Sequence, residues 1–263
     1  MTGDQLSDEA CYCDMLSKQM SSMESAPTEN TVMGGRVKLL QPRRGYRIAV
    51  DAVLLAAAAE AKAGESVLDL GAGVGAVGLC IAARVPDCQI TGIELQSELA
   101  ALAERNVALN HAGDRVRTLV HDLAAPLPDG LGLFDHVTTN PPYLAAAVAD
   151  PSPDRSKALA TVESSADLVR WLTVAAGALK PAGTLLAIHR SDRLEEIVAI
   201  LARLGWGDVT VKRLPPAARV LVRARRGSGL RRREAEPLVL HRPEGGYTDE
   251  AEAILRHGRP LAF

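Results

Sequence analysis

Four consecutive residues, Asn140-Pro141-Pro142-Tyr143, combine a planar amide, two imino acids and an aromatic ring. The prolines stiffen the chain and remove two N–H donors. What remains is rich in acceptors: the Asn140 side-chain oxygen and the Pro141 carbonyl together can take both hydrogens of a flat –NH2 group. Accepting both draws the nitrogen lone pair toward an electrophile, which a delocalised amine or amide nitrogen needs before it can attack. Tyr143 offers a flat face for stacking on a base. Taken alone, the tetrapeptide also fits a plain Pro-Pro turn after a strand.

A second constellation lies upstream, Asp69-Leu70-Gly71-Ala72-Gly73-Val74-Gly75, followed by Glu94-Leu95 and by Asp122. Glycines between a strand and a helix let the backbone turn sharply and approach a ligand with no Cβ in the way. The helix N-terminus adds unsatisfied N–H groups. Glu94, closing the next strand, is placed to accept hydrogen bonds from ribose hydroxyls. An adenosine-containing ligand follows, but not which one. Gly73-Val74-Gly75-Ala76-Val77-Gly78 also satisfies the dinucleotide pattern, so a nicotinamide-dependent enzyme is a rival on this feature alone. Asp69 tips the balance, because a carboxylate beside the turn suits an ammonium and sulfonium ligand and suits a pyrophosphate poorly. Asp122 reads either as an acceptor for an adenine amino group or as a loop-entry residue. The Asn140 tetrapeptide, on the same sheet edge, decides for methyl transfer.

The elements that position these residues alternate. A short strand at 37–40 and a helix at 48–61, with Asp51 near its start, precede a strand at 66–70. Then come a helix at 76–84, a strand at 89–94, a helix at 96–110, and strands at 116–121 and 134–139. A helix at 164–179, a strand at 184–189, a helix at 192–204 and strands at 208–214 and 219–225 complete the pattern. Repeated strand–helix units predict a doubly wound, mostly parallel seven-stranded α/β sheet. The Pro-Pro connection between the last two strands predicts an antiparallel hairpin at the sheet's end. Residues 1–31, polar and without period, are expected to be a disordered tail, with one domain over 32–263.

Four cysteines and six histidines are scattered without ligand spacing, so no metal is expected; Cys80 and Cys88 read as buried thiols. No apolar run reaches the roughly 18 residues of a membrane span, and no secretory leader pattern opens the chain, which predicts a cytoplasmic protein. The net charge of −2 hides an asymmetry: residues 1–31 carry six acids and one lysine, leaving 29 basic against 26 acidic residues in 32–263. Residues 33–50 hold Arg36, Lys38, Arg43, Arg44 and Arg47 with no acid, and residues 212–233 hold nine Lys or Arg with no acid. Such clusters suit a phosphate backbone, or form solvated faces of two edge segments. In the second cluster Arg223 and Arg225 are candidate substrate-binding residues, as are Arg155 and Lys157 in the polar loop after Tyr143.

The stretch Asp69–Gly75 resembles motif I of class I S-adenosylmethionine-dependent methyltransferases, and Asn140–Tyr143 resembles their amino-methylating motif. More narrowly, the chain resembles the bacterial tRNA adenine-N6 methyltransferases that modify the adenine beside the anticodon of valine tRNA. The likeness extends to Asp51-Ala52-Val53-Leu54-Leu55, Pro153-Asp154-Arg155-Ser156-Lys157, Arg219-Val220-Leu221-Val222, Pro237-Leu238-Val239-Leu240 and Gly246-Tyr247-Thr248. It implies a Rossmann-like fold, S-adenosyl-L-methionine as methyl donor, RNA, in particular tRNA, as partner, and no metal. By resemblance, Asp51 touches the donor's methionine end; Asp69, Gly71, Ala72, Gly73, Glu94, Leu95, Asp122 and Asn140 hold the donor, and Asn140, Pro141, Pro142 and Tyr143 hold the amine. Glutamine-amide methylation of a protein, guanine-N2 methylation of rRNA and a silent RNA-binding relative are the other readings.

Overall fold

The computed structural model describes residues 26–45, 47–143, 165–226 and 231–263. Its elements in chain order are β1 (Thr28–Val32), β2 (Val37–Gln41), α1 (Val50–Ala58), β3 (Ser66–Leu70), α2 (Ala76–Arg84), β4 (Gln89–Glu94), α3 (Ser97–Leu109) and β5 (Val116–Val120). Then follow β6 (Phe134–Thr139), α4 (Leu168–Ala178), β7 (Leu179–Arg190), α5 (Leu194–Arg203), β8 (Trp206–Arg213), β9 (Arg219–Arg226), β10 (Arg232–Glu234) and α6 (Asp249–His257).

Strands β3 to β10 form one sheet in the order β10-β8-β9-β7-β6-β3-β4-β5, and β1 and β2 form a separate two-stranded sheet. Pairs among β3 to β7 are parallel, and β9 runs antiparallel to both β7 and β8. The central strands read as near-continuous apolar runs because both faces are covered. Leu54, Leu55 and Ile81 pack on one face with Ile254; Leu172, Ile197 and Leu201 pack on the other. Order reverses at β3, which has β4 on one side and β6 on the other, so a crevice opens at the carboxyl ends of these strands.

Several details differ from the sequence-based expectation. The sheet has eight strands rather than seven: the expected antiparallel hairpin β8–β9 stands at its end with β9 beside β7, and only the short β10 is added outside β8. The added strand β10 is three exposed charged residues paired parallel to β8, too short and too polar to show a period; its charges blunt the sheet edge. Residues 28–31, expected in the tail, pair antiparallel with β2 in a register that runs from Thr28↔Gln41 to Val32↔Val37. Backbone pairing holds that strand although its middle residues face solvent. The C-terminal helix α6 adds to the expected elements; Thr248 Oγ1 accepts the Ala251 amide at its start and Gly258 ends it in the left-handed region.

Candidate active site

Strand β3 delivers the chain to the crevice and the glycine turn bends it into α2. Gly71, Gly73 and Gly75 all have positive φ, at 74°, 56° and 82°, where a side chain is strained. At Gly71 contact adds to conformation: a Cβ there would sit 2.6 Å from Cη2 of Trp171. The Gly71 and Ala72 amides both donate to the Ile93 carbonyl at 2.9 Å, which ties the turn to β4.

Beyond the turn a cleft opens at the carboxyl ends of the strands. Gly71, Gly73, Glu94, Leu95, Asp122 and Asn140, from four separate loops, all line it. Ala72 stands behind the wall against Gly92, where a Cβ would come within 2.8 Å of its own. Sequence reasoning missed Trp171, Leu99 and Leu123, which make the cleft partly apolar, and His121, whose Nε2 is buried with no partner. Trp171 carried a usable signal, being one of two tryptophans in a chain with 3% aromatic residues.

Two carboxylates set the electrostatics. Glu94 is buried, and its two oxygens accept the Gly73 and Gln96 amides, each at 2.8 Å. Burial raises its pKa against the lowering effect of these amides. The Leu95 amide bonds the carboxylate as well, which leaves one of its four lone-pair sites for a hydroxyl of a ligand. Asp69 is buried more deeply: Thr138, its neighbour across the β3–β6 register, donates Oγ1 to Oδ1 at 2.8 Å, while Oδ2 has no partner. Burial, with a smaller push from the charge of Glu94, raises the Asp69 carboxyl to about 7. At Asp122, Oδ1 already accepts the Ala124 amide at 2.9 Å and the Ser165 hydroxyl at 2.8 Å.

Strand β6 ends at Thr139 and presents Asn140 to the cleft. Its Oδ1 is buried and has no hydrogen-bond partner. Such an orphaned acceptor costs free energy unless a donor arrives. Pro141 and Pro142 are buried beside it. His189, at the end of β7, lies with Nε2 3.3 Å from the Pro142 carbonyl. Burial drives its imidazole down to about 4, so the ring is neutral and Nε2–H can donate to that carbonyl. Tyr143 packs its ring edge-on to His189 at 5.3 Å, and its hydroxyl donates to Asp51 Oδ2 at 2.7 Å. Arg219, at the start of β9, donates Nε to the same Asp51 oxygen at 3.1 Å and places its guanidinium 4.3 Å from the Tyr143 ring centroid.

That network corrects two expectations. Asp51 does not line the cleft; its carboxylate is engaged by Tyr143 and Arg219, so it anchors the Asn140–Tyr143 corner to α1. One face of Tyr143 is covered by Arg219, which leaves at most the other for a base. A third correction concerns the basic strip. Arg223 and Arg225 both bond to Glu60, and Arg223 also lies over Phe263. Arg225 pairs with Thr184 near the amino end of β7, whereas Arg219 pairs with Arg190 at its carboxyl end. Six residues of strand put about 20 Å between them. Arg225 therefore sits well below the crevice and Arg223 two residues nearer to it, both partly neutralised by Glu60. Arg155 and Lys157 lie outside the described residues.

The donor set fits S-adenosylmethionine: a close-approach glycine turn, the buried carboxylate of Glu94 for ribose hydroxyls, and an apolar Leu95–Trp171 wall for adenine, while Asp69 lies behind the turn and does not line the cleft.

Comparisons with known proteins agree. Residues 47–196 match the methyltransferase small domain. The chain is 30% identical over 219 residues to the tRNA1(Val) (adenine(37)-N6)-methyltransferase of Yersinia enterocolitica, covering 81% of this chain and 86% of that one. It is 34% identical over 151 residues to the release factor glutamine methyltransferase of Salmonella typhimurium, covering 54% of this chain and 53% of that one. Among solved structures it is similar to an Agrobacterium tumefaciens protein described as a predicted O-methyltransferase, with a TM-score of 0.65, 26% identity, and coverage of 81% and 98%. The chain belongs to the methyltransferase small domain family and is a methyltransferase that uses S-adenosylmethionine.

Proposed function

We propose that this enzyme methylates N6 of an adenine in tRNA, near the anticodon, in the cytoplasm. The observation that carries the reading is the Asn140 Oδ1 atom, buried and without a partner on the wall of the cleft. It is an acceptor waiting for a donor, beside a turn suited to the methyl source. When bound, S-adenosylmethionine supplies a methyl carbon whose transfer leaves a neutral thioether.

The chain's own residues position the amine. Asn140 Oδ1 and the Pro141 carbonyl accept its two hydrogens and aim the lone pair along the line of displacement. His189, Asp51 and Arg219 keep Pro142 and Tyr143 from shifting. The Tyr143 face turned away from Arg219 stacks on the base. Alignment of this kind is worth on the order of 7–11 kcal/mol relative to free reactants. Asp51 and Tyr143, bonded to one another, act on the corner rather than on the amine.

An adenine amine and a glutamine amide offer the same flat –NH2, so the corner alone serves either, and the similarity to a release factor glutamine methyltransferase makes the amide the second reading. The span of the match favours adenine: the tRNA-modifying relative aligns over 81% of this chain, against 54% for the other. The test is incubation with labelled methyl donor and total tRNA, followed by digestion to nucleosides. Label in N6-methyladenosine is the expected result. Label in a release factor's glutamine, with none in tRNA, overturns the reading.

A further inference from the structure

The two basic stretches of this chain have different fates in the fold. In the second, charge is largely answered: Arg223 and Arg225 bond to Glu60, Arg232 to Glu195 and Glu234, and Arg233 to Asp208. In the first, Lys38, Arg43 and Arg44 are exposed and, among the described residues, form no ion pair. Arg47 bonds only neutral oxygens, at Thr28, Asn30 and Pro42, so its charge is oriented but not cancelled. Among the described residues Glu29, on the strand beside β2, makes no ion pair with any of them.

The uncancelled stretch also rises toward the crevice: Lys38 lies beside the far end of α3, and Arg43, Arg44 and Arg47 follow once β2 has climbed from it. Strand β2 is strapped to α3 by two asparagines: Asn110 bonds the backbone of Lys38 on both sides, and Asn106 bonds that of Leu40. Asn110 follows the end of α3, and the helix starts at the crevice edge of the sheet, so β2 climbs toward the crevice as it runs from Lys38 to Gln41. The Asn106 amide also donates to the Val74 carbonyl in the glycine turn, which fixes that height. The chain then passes Arg43, Arg44 and Arg47 and enters α1 at Asp51, which holds the Tyr143 hydroxyl. Four residues of chain span at most about 14 Å, so Arg47 lies within that reach of Asp51, which anchors the amine corner.

We propose that Lys38, Arg43, Arg44 and Arg47 form the surface on which the phosphate backbone of the RNA substrate docks, leading its target base to Asn140. The assignment rests on the reading of tRNA as substrate. Phosphate contacts hold register without reading sequence, and each one that releases a counterion steepens the salt dependence of binding.

The experiment compares the full chain with two triple variants matched in charge. One is Lys38→Gln, Arg43→Gln, Arg44→Gln; the other is Arg225→Gln, Arg231→Gln, Arg233→Gln at the opposite stretch. Binding of total tRNA is measured by fluorescence anisotropy at several salt concentrations, with methyl transfer and S-adenosylmethionine binding alongside. Expected for the first variant is a plot of log affinity against log salt shallower by about 2 to 3, from roughly 0.7–0.9 for each phosphate no longer neutralised. Its KM for tRNA should rise at least tenfold, with cofactor affinity unchanged. The second variant should keep the parent slope to within about 0.4, half the value of one neutralised phosphate. If the parent methylates tRNA and the first variant keeps its slope, or the second loses more, the docking surface is wrong while the tRNA reading stands. If the parent neither binds nor methylates tRNA, both fall.

Discussion

On the glycine-turn side of the cleft, both oxygens of Glu94 accept amides of the chain itself, and Asp69 is held by Thr138. On the Asn140 side, the buried amide oxygen has no partner at all, while Pro142, Tyr143 and Asp51 behind it are held by hydrogen bonds, although His189 Nδ1 lacks one. In the first half the chain's own amides already hold Glu94 before a ligand arrives, so the carboxylate that faces the ribose is a rigid seat. Asp69 Oδ2 and His121 Nε2 stay unpaired behind and beside it. The other half holds the unmet acceptor of Asn140, a residue that lines the cleft, on a braced corner, so its bonding is completed by the substrate. Damage to the first half should appear in cofactor affinity; damage to the second should appear in turnover.

The largest expected effect in the seat comes from Gly71→Ala. Positive φ at this position and a methyl 2.6 Å from the Trp171 ring force either the turn or the ring to move. Strain alone costs about 1–3 kcal/mol, and cofactor affinity should drop roughly 100-fold by calorimetry. Unchanged affinity would show that the turn does not grip the ligand.

Glu94→Ala comes next. It leaves the Gly73 and Gln96 amides without their acceptor and removes the group facing the ribose. Hydrogen bonds to a charged group are worth about 1.5–3 kcal/mol, so a loss of roughly 10- to 100-fold in cofactor affinity is expected. Turnover at saturating cofactor should change far less than affinity; the reverse pattern would erase the distinction between the two halves.

Asp69 sharpens the comparison through pH. Its carboxyl sits at about 7 in the fold against an ordinary 3.8, so between those values the folded state keeps a proton that the unfolded chain has released. Stability contributed by this group is therefore present at low pH and declines as pH rises toward 7, by at most roughly 1.4 kcal/mol per unit. Urea midpoints of the parent should fall over this range relative to those of Asp69→Asn. Parallel midpoints would mean that Asp69 is ionised throughout.

The smallest effect belongs to Tyr143→Phe, which keeps the ring under Arg219 but frees Asp51. A part-buried hydrogen bond to a carboxylate contributes about 1–2 kcal/mol, spread here over positioning. A several-fold loss in kcat with unchanged cofactor affinity is expected. Loss of cofactor affinity instead would place Asp51 in the seat, where the family resemblance had it.

Much of this arrangement was legible in the sequence. The strand–glycine–helix run from Asp69 to Gly75 and the rigid Asn140–Tyr143 step are local, and local signals survive folding. Period-2 and period-3.6 patterning placed most of the sheet and its helices. What escaped was long-range. Nothing near Arg223 predicts Glu60, which is 163 positions away, so a run without acids looked like a free cationic strip. His189 reads as one more residue of an apolar strand, and only the fold sets it against Pro142. The edge strand at Arg232 lacks any apolar period, because it is held by pairing to β8 and not by burial.

The central claim is that the Asn140 oxygen serves the amine and not the cofactor. Asn140→Ala, assayed by calorimetry with S-adenosylmethionine and by single-turnover methyl transfer to tRNA, tests it most directly. The account predicts cofactor affinity within about threefold of the parent and transfer slowed at least roughly 1,000-fold, the loss of a group used chiefly in the transition state. Transfer at the parent rate, or affinity lost in step with transfer, would contradict it.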